Sequence, residues 1–293
     1  MSLKNLFSRS KKDTFPEIHV PEKHLSPHLS LVKEKTGWLS PVYNQSRAVK
    51  LDPNTLEQNR LVALIHDRPE NDFYKVLRTR IMNRTHKQGG KSIMITSALP
   101  GEGKTVTSIN LALSFTKLYE NTVLLVDGDL RMQQVHKLLG YKSDKGLKDY
   151  FLANSPLSDL IVWPGIEKLT VISGGETIQE SSEILTSPRM KELVDEMKNR
   201  YPERYVFFDV PPVLISDDAM VVAHLVDWII VVVQAGKTSM QDVNRALDLL
   251  PEEKILGLVL NRQTSQLKRY GYGYYGYGYG YGYGYGQKTP KKS

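Results

Sequence analysis

The run Ser97-Ala98-Leu99-Pro100-Gly101-Glu102-Gly103-Lys104-Thr105 constrains this chain most, because it joins an apolar stretch, Ser92 to Ser97, directly to an amphipathic one that begins at Lys104. Glycines at 101 and 103 let successive backbone N–H groups curl around an oxyanion, and the start of a helix adds partial positive charge at the same point. Lys104 can then reach the β- and γ-phosphates of a nucleotide, and Thr105 can ligate Mg²⁺. The general pattern has glycine six residues before the lysine, where this chain has Ala98. A phosphate loop between a strand and a helix calls for a layered α/β fold.

The rest of the chain repeats that alternation. Apolar runs recur at Thr122 to Asp127, Leu169 to Ser173, Tyr205 to Asp209, Trp228 to Gln234 and Ile255 to Asn261. With Ser92 to Ser97 they read as strands buried on both faces, the pattern of a mostly parallel central sheet with helices on both faces. Helical stripes lie between them, Ile109, Ala112, Leu113 and Thr116 within Lys104 to Tyr119, and Met190, Leu193, Val194 and Met197 before Tyr201. Ligands of such sheets bind beyond the carboxyl ends of the strands. There the sequence places Asp127-Gly128-Asp129-Leu130-Arg131 after the second run and Asp209-Val210-Pro211-Pro212 after the fourth. ATP chemistry needs oxygen ligands for Mg²⁺ and a group that orients the nucleophile, and these acids supply both.

Composition narrows the setting. The 293 residues include no cysteine, which excludes disulfides and thiolate metal sites and makes a reducing cytosol the simplest home. No run approaches the ~18 apolar residues of a membrane span, so a soluble protein is expected. The formal charge of +7 gathers at the ends, at Lys4, Arg9, Lys11 and Lys12 and at Lys268, Arg269, Lys288, Lys291 and Lys292. Such ends either touch anionic surfaces or are simply solvated, and no nucleic-acid partner is expected. Three segments follow: a proline-punctuated basic arm over 1–45, a nucleotide-binding domain over 46–265 and a Tyr/Gly-rich tail over 266–293. His136 and His224 read as ordinary helix residues.

Taken together, the phosphate loop, the Val-Asp-Gly-Asp-Leu-Arg run at 126–131, Phe-Phe-Asp-Val-Pro-Pro at 207–212 and the terminal tyrosines resemble the bacterial protein-tyrosine kinases of polysaccharide export, in their cytoplasmic form. The resemblance implies an ATP- and Mg²⁺-dependent tyrosine autokinase of the P-loop fold. It makes Pro100, Gly101, Glu102, Gly103, Lys104, Thr105 and Val106 the phosphate-binding run, with Asn261 and Arg262 near the adenine or in a surface turn. Thr105, Asp129 and Asp209 become the Mg²⁺ ligands and Asp127 the base, while Arg131 either holds phosphate charge or caps the helix after it. Where the family carries Glu-x-x-Arg-x-x-Arg for ring assembly, this chain reads Asp72-Phe-Tyr-Lys75-Val-Leu-Arg78, and lysine lacks the bidentate fork of arginine. A homo-oligomer is therefore implied. So is activation by the cytoplasmic tail of a membrane chain-length regulator of exopolysaccharide synthesis, which would hold the protein at the inner face of the membrane.

The tail carries Tyr270, Tyr272, Tyr274, Tyr275, Tyr277, Tyr279, Tyr281, Tyr283 and Tyr285 on a glycine-rich string. Beside a kinase site these phenols read as phosphorylation targets, reached in trans because glycine leaves each ring unobstructed. Two other readings use the same residues. A partitioning-type ATPase would hydrolyse ATP with water and leave the tyrosines unexplained, and its loop would carry an additional lysine where Leu99 stands. A nucleotide-binding scaffold would use the tail only as an adhesive.

Overall fold

Each of the apolar runs forms a strand in the computed structural model, which describes residues 46–263 apart from 65–67, 69, 179 and 180. The arm over 1–45 and the nine tail tyrosines lie outside the described residues. Eight strands make one sheet: β1 Arg47–Ala48, β2 Ser92–Ser97, β3 Thr122–Asp127, β4 Ile161–Trp163, β5 Leu169–Ile172, β6 Arg204–Asp209, β7 Trp228–Gln234 and β8 Ile255–Asn261. Their order across the sheet is β1-β4-β5-β3-β6-β2-β7-β8. All neighbours run parallel except β4 and β5.

Alternation along each central strand sends side chains into two cores. Met94, Leu124, Val126, Val206, Phe208, Ile229 and Val231 face one side, where Met190, Leu193, Val194 and Met197 of the helix Pro188–Asn199 cover them. Ile93, Ile95, Val123, Leu125, Phe207 and Ile230 face the other, against the helix Lys104–Thr116. Phe115 of that helix sits between Tyr205 and Phe207, with ring centroids 4.7 and 5.1 Å away. The expected stripe on this helix is in fact a whole cylinder: Thr105 and every residue from Thr107 to Thr116 are buried. A helix buried all round is held against the sheet on one side and by neighbouring helices on the other. It ends at Thr116, three residues before Tyr119.

Two corrections to the sequence reading concern the sheet margins. β1 and β4 are two and three residues long, too short to show a period. β8 is not buried on both faces: it lies at the sheet edge, with Leu258 47% and Leu260 59% exposed. Its apolar composition is that of a central strand, but no strand pairs with its outer side among the described residues.

The parallel order brings the carboxyl ends of β3, β6, β2 and β7 side by side on one rim. At the opposite rim Asp227, just ahead of β7, accepts hydrogen bonds from Lys91 N, Ser92 N and Ser92 Oγ at 3.0, 3.0 and 2.7 Å and pairs with Lys198 at 2.6 Å. Gly90 is required there: its φ is +81°, and a Cβ would stand 2.6 Å from that of Asp227.

Candidate active site

The loop from Ala98 to Gly103 leaves β2 and enters the helix Lys104–Thr116 with Gly101 at φ +78° and Gly103 at φ +92°. Only glycine takes such angles freely, and Gly103 has a second reason, because a Cβ would lie 2.2 Å from Asn261 Nδ2. Ala98, by contrast, has no positive φ and is fully buried in the core. Alanine is therefore tolerated at the position where the general pattern has glycine.

Lys104 Nζ lies 3.0 Å from Asp129 Oδ2 and 3.3 Å from Asp209 Oδ2. Thr105 Oγ1 donates to Asp209 Oδ2 at 2.7 Å, and Ser108 Oγ to Asp209 Oδ1 at 2.9 Å. Asp209 comes from the end of β6, Asp129 from just past β3, and the lysine and hydroxyls from the first turns of one helix. Burial alone would lower the Lys104 pKa, but Asp209 and then Asp129 outweigh it and hold the ammonium above the ordinary lysine value. Asp209 is fully buried, and burial raises its pKa against the opposing pull of Lys104, Thr105 and Ser108.

Asp127 is also fully buried. Its Oδ2 accepts from Gln134 N at 3.1 Å and Val135 N at 3.0 Å, and its Oδ1 from Asp129 N at 3.3 Å. The carboxylate thus ties down the loop between β3 and the helix Val135–Leu139. Burial foremost, and then the charge of Asp209, push its pKa up to about 8.

These groups border a cavity of about 330 Å³ lined by Gly101, Gly103, Lys104, Thr105 and Asp129 on its polar side and by Met132, Leu138, Pro212 and Ile215 on its apolar side. Of the three aspartates, Asp129 lines it, with Asp127 and Asp209 behind. Pro100, Val106 and Arg262 border it too. Arg131 also reaches the cavity, yet its guanidinium is spent on Ser181 Oγ at 2.8 Å, Ser182 Oγ at 3.2 Å and Asp218 at 3.7 Å. It does not cap the helix after it. Asn261 donates from Nδ2 to the carbonyl of Glu102 at 2.8 Å, closing the loop against β8.

Two residues have roles that motif spacing did not convey. The Glu102 side chain, placed by sequence in the phosphate-binding run, turns away from the cavity and is 2% exposed. Its carboxylate accepts from Leu99 N at 2.8 Å, from Gln234 N at 3.3 Å and from Thr238 Oγ1, bolting the loop to the end of β7. Ser108, one turn after Lys104, holds the second oxygen of Asp209. On the helix Glu70–Gln88, Lys75 pairs with Asp72 of its own helix at 2.9 Å, and Arg78 NH1 donates to the carbonyl of Ser114. Arg78 is thus turned into the fold, whereas Phe73 and Val76 are exposed.

Among the described residues no cluster of three His, Cys, Asp or Glu side chains could cage a metal. The donor set does fit Mg²⁺, which takes one or two carboxylates and a hydroxyl and completes its shell with phosphate oxygens and water. Thr105, Asp129 and Asp209 have the required hard oxygens.

A strand, a glycine loop ending in Lys104-Thr105, a helix and carboxylates on the two strand ends alongside define a P-loop nucleotide-binding protein. The ParA family, described as NUBPL iron-transfer P-loop NTPase, matches residues 89–288; the thiolates that hold iron–sulfur clusters have no counterpart in a chain without cysteine. The tyrosine-protein kinase YwqD of Bacillus subtilis is 32% identical over 76% of this chain and 95% of its own length. Among solved structures, the chimerical protein CapA2B2 superposes with a TM-score of 0.65 at 27% identity, covering 76% of this chain and 95% of that one. The kinase domain of Escherichia coli tyrosine kinase ETK does so with a TM-score of 0.63 at 26% identity, over 80% and 95%. The chain belongs to the family of bacterial tyrosine-protein kinases. Among the described residues no helix is long and apolar enough to cross a membrane.

Proposed function

We propose that this chain is a tyrosine autokinase that passes the γ-phosphate of ATP to the tyrosines of its own tail, in trans between copies, and so regulates exopolysaccharide synthesis. The observation that carries this reading is Lys104 held between Asp129 and Asp209 beside the apolar wall of one cavity. The polar side suits phosphates, and the apolar side suits an aromatic acceptor better than water alone.

Bound ATP with Mg²⁺ supplies an activated phosphoryl group whose transfer to a phenolic oxygen releases ADP. Gly101 and Gly103 open the loop so that its N–H groups face the phosphates, and Lys104 keeps a positive charge where negative charge accumulates. Thr105, Asp129 and Asp209 would hold the metal, with Ser108 fixing the orientation of Asp209. Asp127 is assigned to receive the phenolic proton on its carboxylate, the charge of Lys104 favouring the ionised form that the step needs. Because Asp127 has no exposed atom, this step requires its carboxylate to turn from Gln134 N and Val135 N toward the cavity as the acceptor enters. Asn261 and Arg262, at and just past the end of β8, are assigned to the adenine.

Assembly into a ring is assigned to the helix Glu70–Gln88, where Phe73 and Val76 stand exposed beside the Asp72–Lys75 pair. With Arg78 committed to Ser114, the contact rests more on apolar surface than the family's charged motif implies. Activation and placement at the inner membrane face are assigned to the cytoplasmic tail of a membrane chain-length regulator.

The test is to incubate the full chain with Mg²⁺ and ATP, with and without that activator fragment, and to locate phosphate by mass spectrometry. Phosphotyrosine in the tail is expected, falling by more than about a hundredfold in Lys104→Met. Release of free phosphate alone would favour the ATPase reading, and neither product would favour the scaffold.

A further inference from the structure

Two large apolar side chains are left in water at the mouth of the cavity: Met132, 68% exposed, and Ile215, 62% exposed. They follow β3 and β6, which are neighbours in the sheet, whereas Arg262 follows β8 at the sheet edge. The two therefore flank the end of the cavity where Asp129 lies, apart from Arg262.

Both are set on stiff backbone. Met132 N donates to Asp129 Oδ1 at 2.9 Å, so the side chain is registered to a residue of the phosphate end. The segment carrying Ile215 is stitched to the end of β2 by Thr96 Oγ1 to Pro211 O at 2.6 Å, Val213 N to Ser97 O at 2.8 Å and Leu214 N to Ala98 O at 3.3 Å. Ile215 N closes a turn onto Pro212 O at 3.1 Å. Exposed apolar groups held this firmly around a polar cleft mark a surface built to be covered.

The acceptor supplies the complement. From Tyr270 to Gly286 the chain alternates tyrosine with glycine except at the pair Tyr274-Tyr275, so apart from backbone an enzyme has only the ring to grip. We infer that Met132 and Ile215 form an acceptor jaw that closes on the two faces of a tyrosine ring from this segment and directs its phenolic oxygen toward Lys104 and Asp129. A thioether suits one side of an aromatic ring and a branched aliphatic chain the other. The jaw also sets specificity. It stands at the rim, and a phenol carries its oxygen a ring's length beyond Cβ, whereas a serine hydroxyl held at the same height falls short of the phosphate end. This inference rests on the kinase reading above.

The experiment uses the full chain with Mg²⁺, ATP and a concentration series of the peptide Gly-Tyr-Gly-Tyr-Gly, with Gly-Ser-Gly-Ser-Gly as the second acceptor. Peptide phosphorylation is separated from tail phosphorylation by mass. In Met132→Ala/Ile215→Ala the KM for the tyrosine peptide should rise roughly tenfold or more, the scale of lost apolar contacts in a binding site. The KM for ATP should move by less than about twofold, and Met132→Leu/Ile215→Leu should recover most of the peptide affinity. The serine peptide should remain unmodified throughout. A peptide KM unchanged in the alanine variant, or a loss shared equally by peptide and ATP, would overturn the jaw while the unsubstituted chain still makes phosphotyrosine. An unsubstituted chain that makes no phosphotyrosine on either acceptor would overturn the kinase reading itself.

Discussion

Glu102 illustrates how a residue inside a binding motif can act by holding the motif together. Its carboxylate, itself buried, satisfies Leu99 N, Gln234 N and Thr238 Oγ1, whose residues are half-buried. Glu102→Ala leaves these donors unpaired, at a cost of about 1–3 kcal/mol. We expect that cost to appear as a loosened loop: ATP affinity, followed by titration with a fluorescent nucleotide, should fall by about tenfold or more while Lys104 and Thr105 remain in place. An affinity within about twofold of the parent would mean that the loop is held by its glycine geometry and Asn261 alone. The sequence announced Lys104, Thr105, Asp129 and Asp209 because each sits at a fixed offset from a strand end. Ser108, Met132 and Ile215 gave no such signal, and Glu102 announced its place in the loop but not its partners. What they touch is set by which strands become neighbours, and the order β3-β6-β2-β7 is not written in any local pattern.

At the scale of elements, Asp227 joins the start of β7 to the start of β2 and to the helix Pro188–Asn199 through Lys198. Burial would raise its pKa, but the hydrogen-bonded pair with Lys198 and the donors of Ser92 outweigh burial and hold it below the ordinary 3.8. A depressed carboxylate stabilises the fold fully above its unfolded pKa, and that contribution is lost as pH falls through the lower folded value. Asp227→Asn should therefore cost about 1–3 kcal/mol near neutrality, and its urea midpoint should draw toward that of the parent only as pH falls below about 4. A gap independent of pH would assign the effect to packing instead of charge. Because this contact lies at the rim opposite the phosphate loop, the variant that does fold should keep its nucleotide affinity. The same sheet shows what an element-level reading can and cannot extract. β2, β3 and β7 match their apolar runs residue for residue, since central parallel strands need continuous apolar side chains. β8 carries such a run too and yet lies at the edge, so apolar content marks a strand without fixing its place. β1 and β4 owe their existence to pairing with one another and with β5, which no sequence period records.

For the whole molecule the decisive quantity is charge at the tail. The formal +7 of the chain includes Lys268, Arg269, Lys288, Lys291 and Lys292, which flank the nine tail tyrosines. Each phosphate adds about −1.5 to −2 at neutral pH, so three cancel these cations and nine reverse them to a large net negative charge. If copies meet through the helix Glu70–Gln88 and lend each other their tails, progressive phosphorylation loads an assembly with like charge until the tails leave their neighbours' cavities and the contact loosens. Such repulsion counts phosphates and ignores which tyrosine carries them. Single Tyr→Phe substitutions should thus change little, whereas replacing six or more should keep the assembly intact after incubation with ATP. Native mass spectrometry of dephosphorylated and fully phosphorylated chain reads this directly: the first should be oligomeric and the second mostly dissociated. Screening supplies an independent check, because the Debye length shrinks from about 8 Å at physiological ionic strength to about 3 Å at 1 M, and added salt should therefore restore part of the assembly measured in solution by light scattering. Equal oligomer size in both phosphorylation states would defeat this account. Dissociation that followed one particular phosphotyrosine would replace a graded electrostatic counter with a specific recognition event at the acceptor jaw.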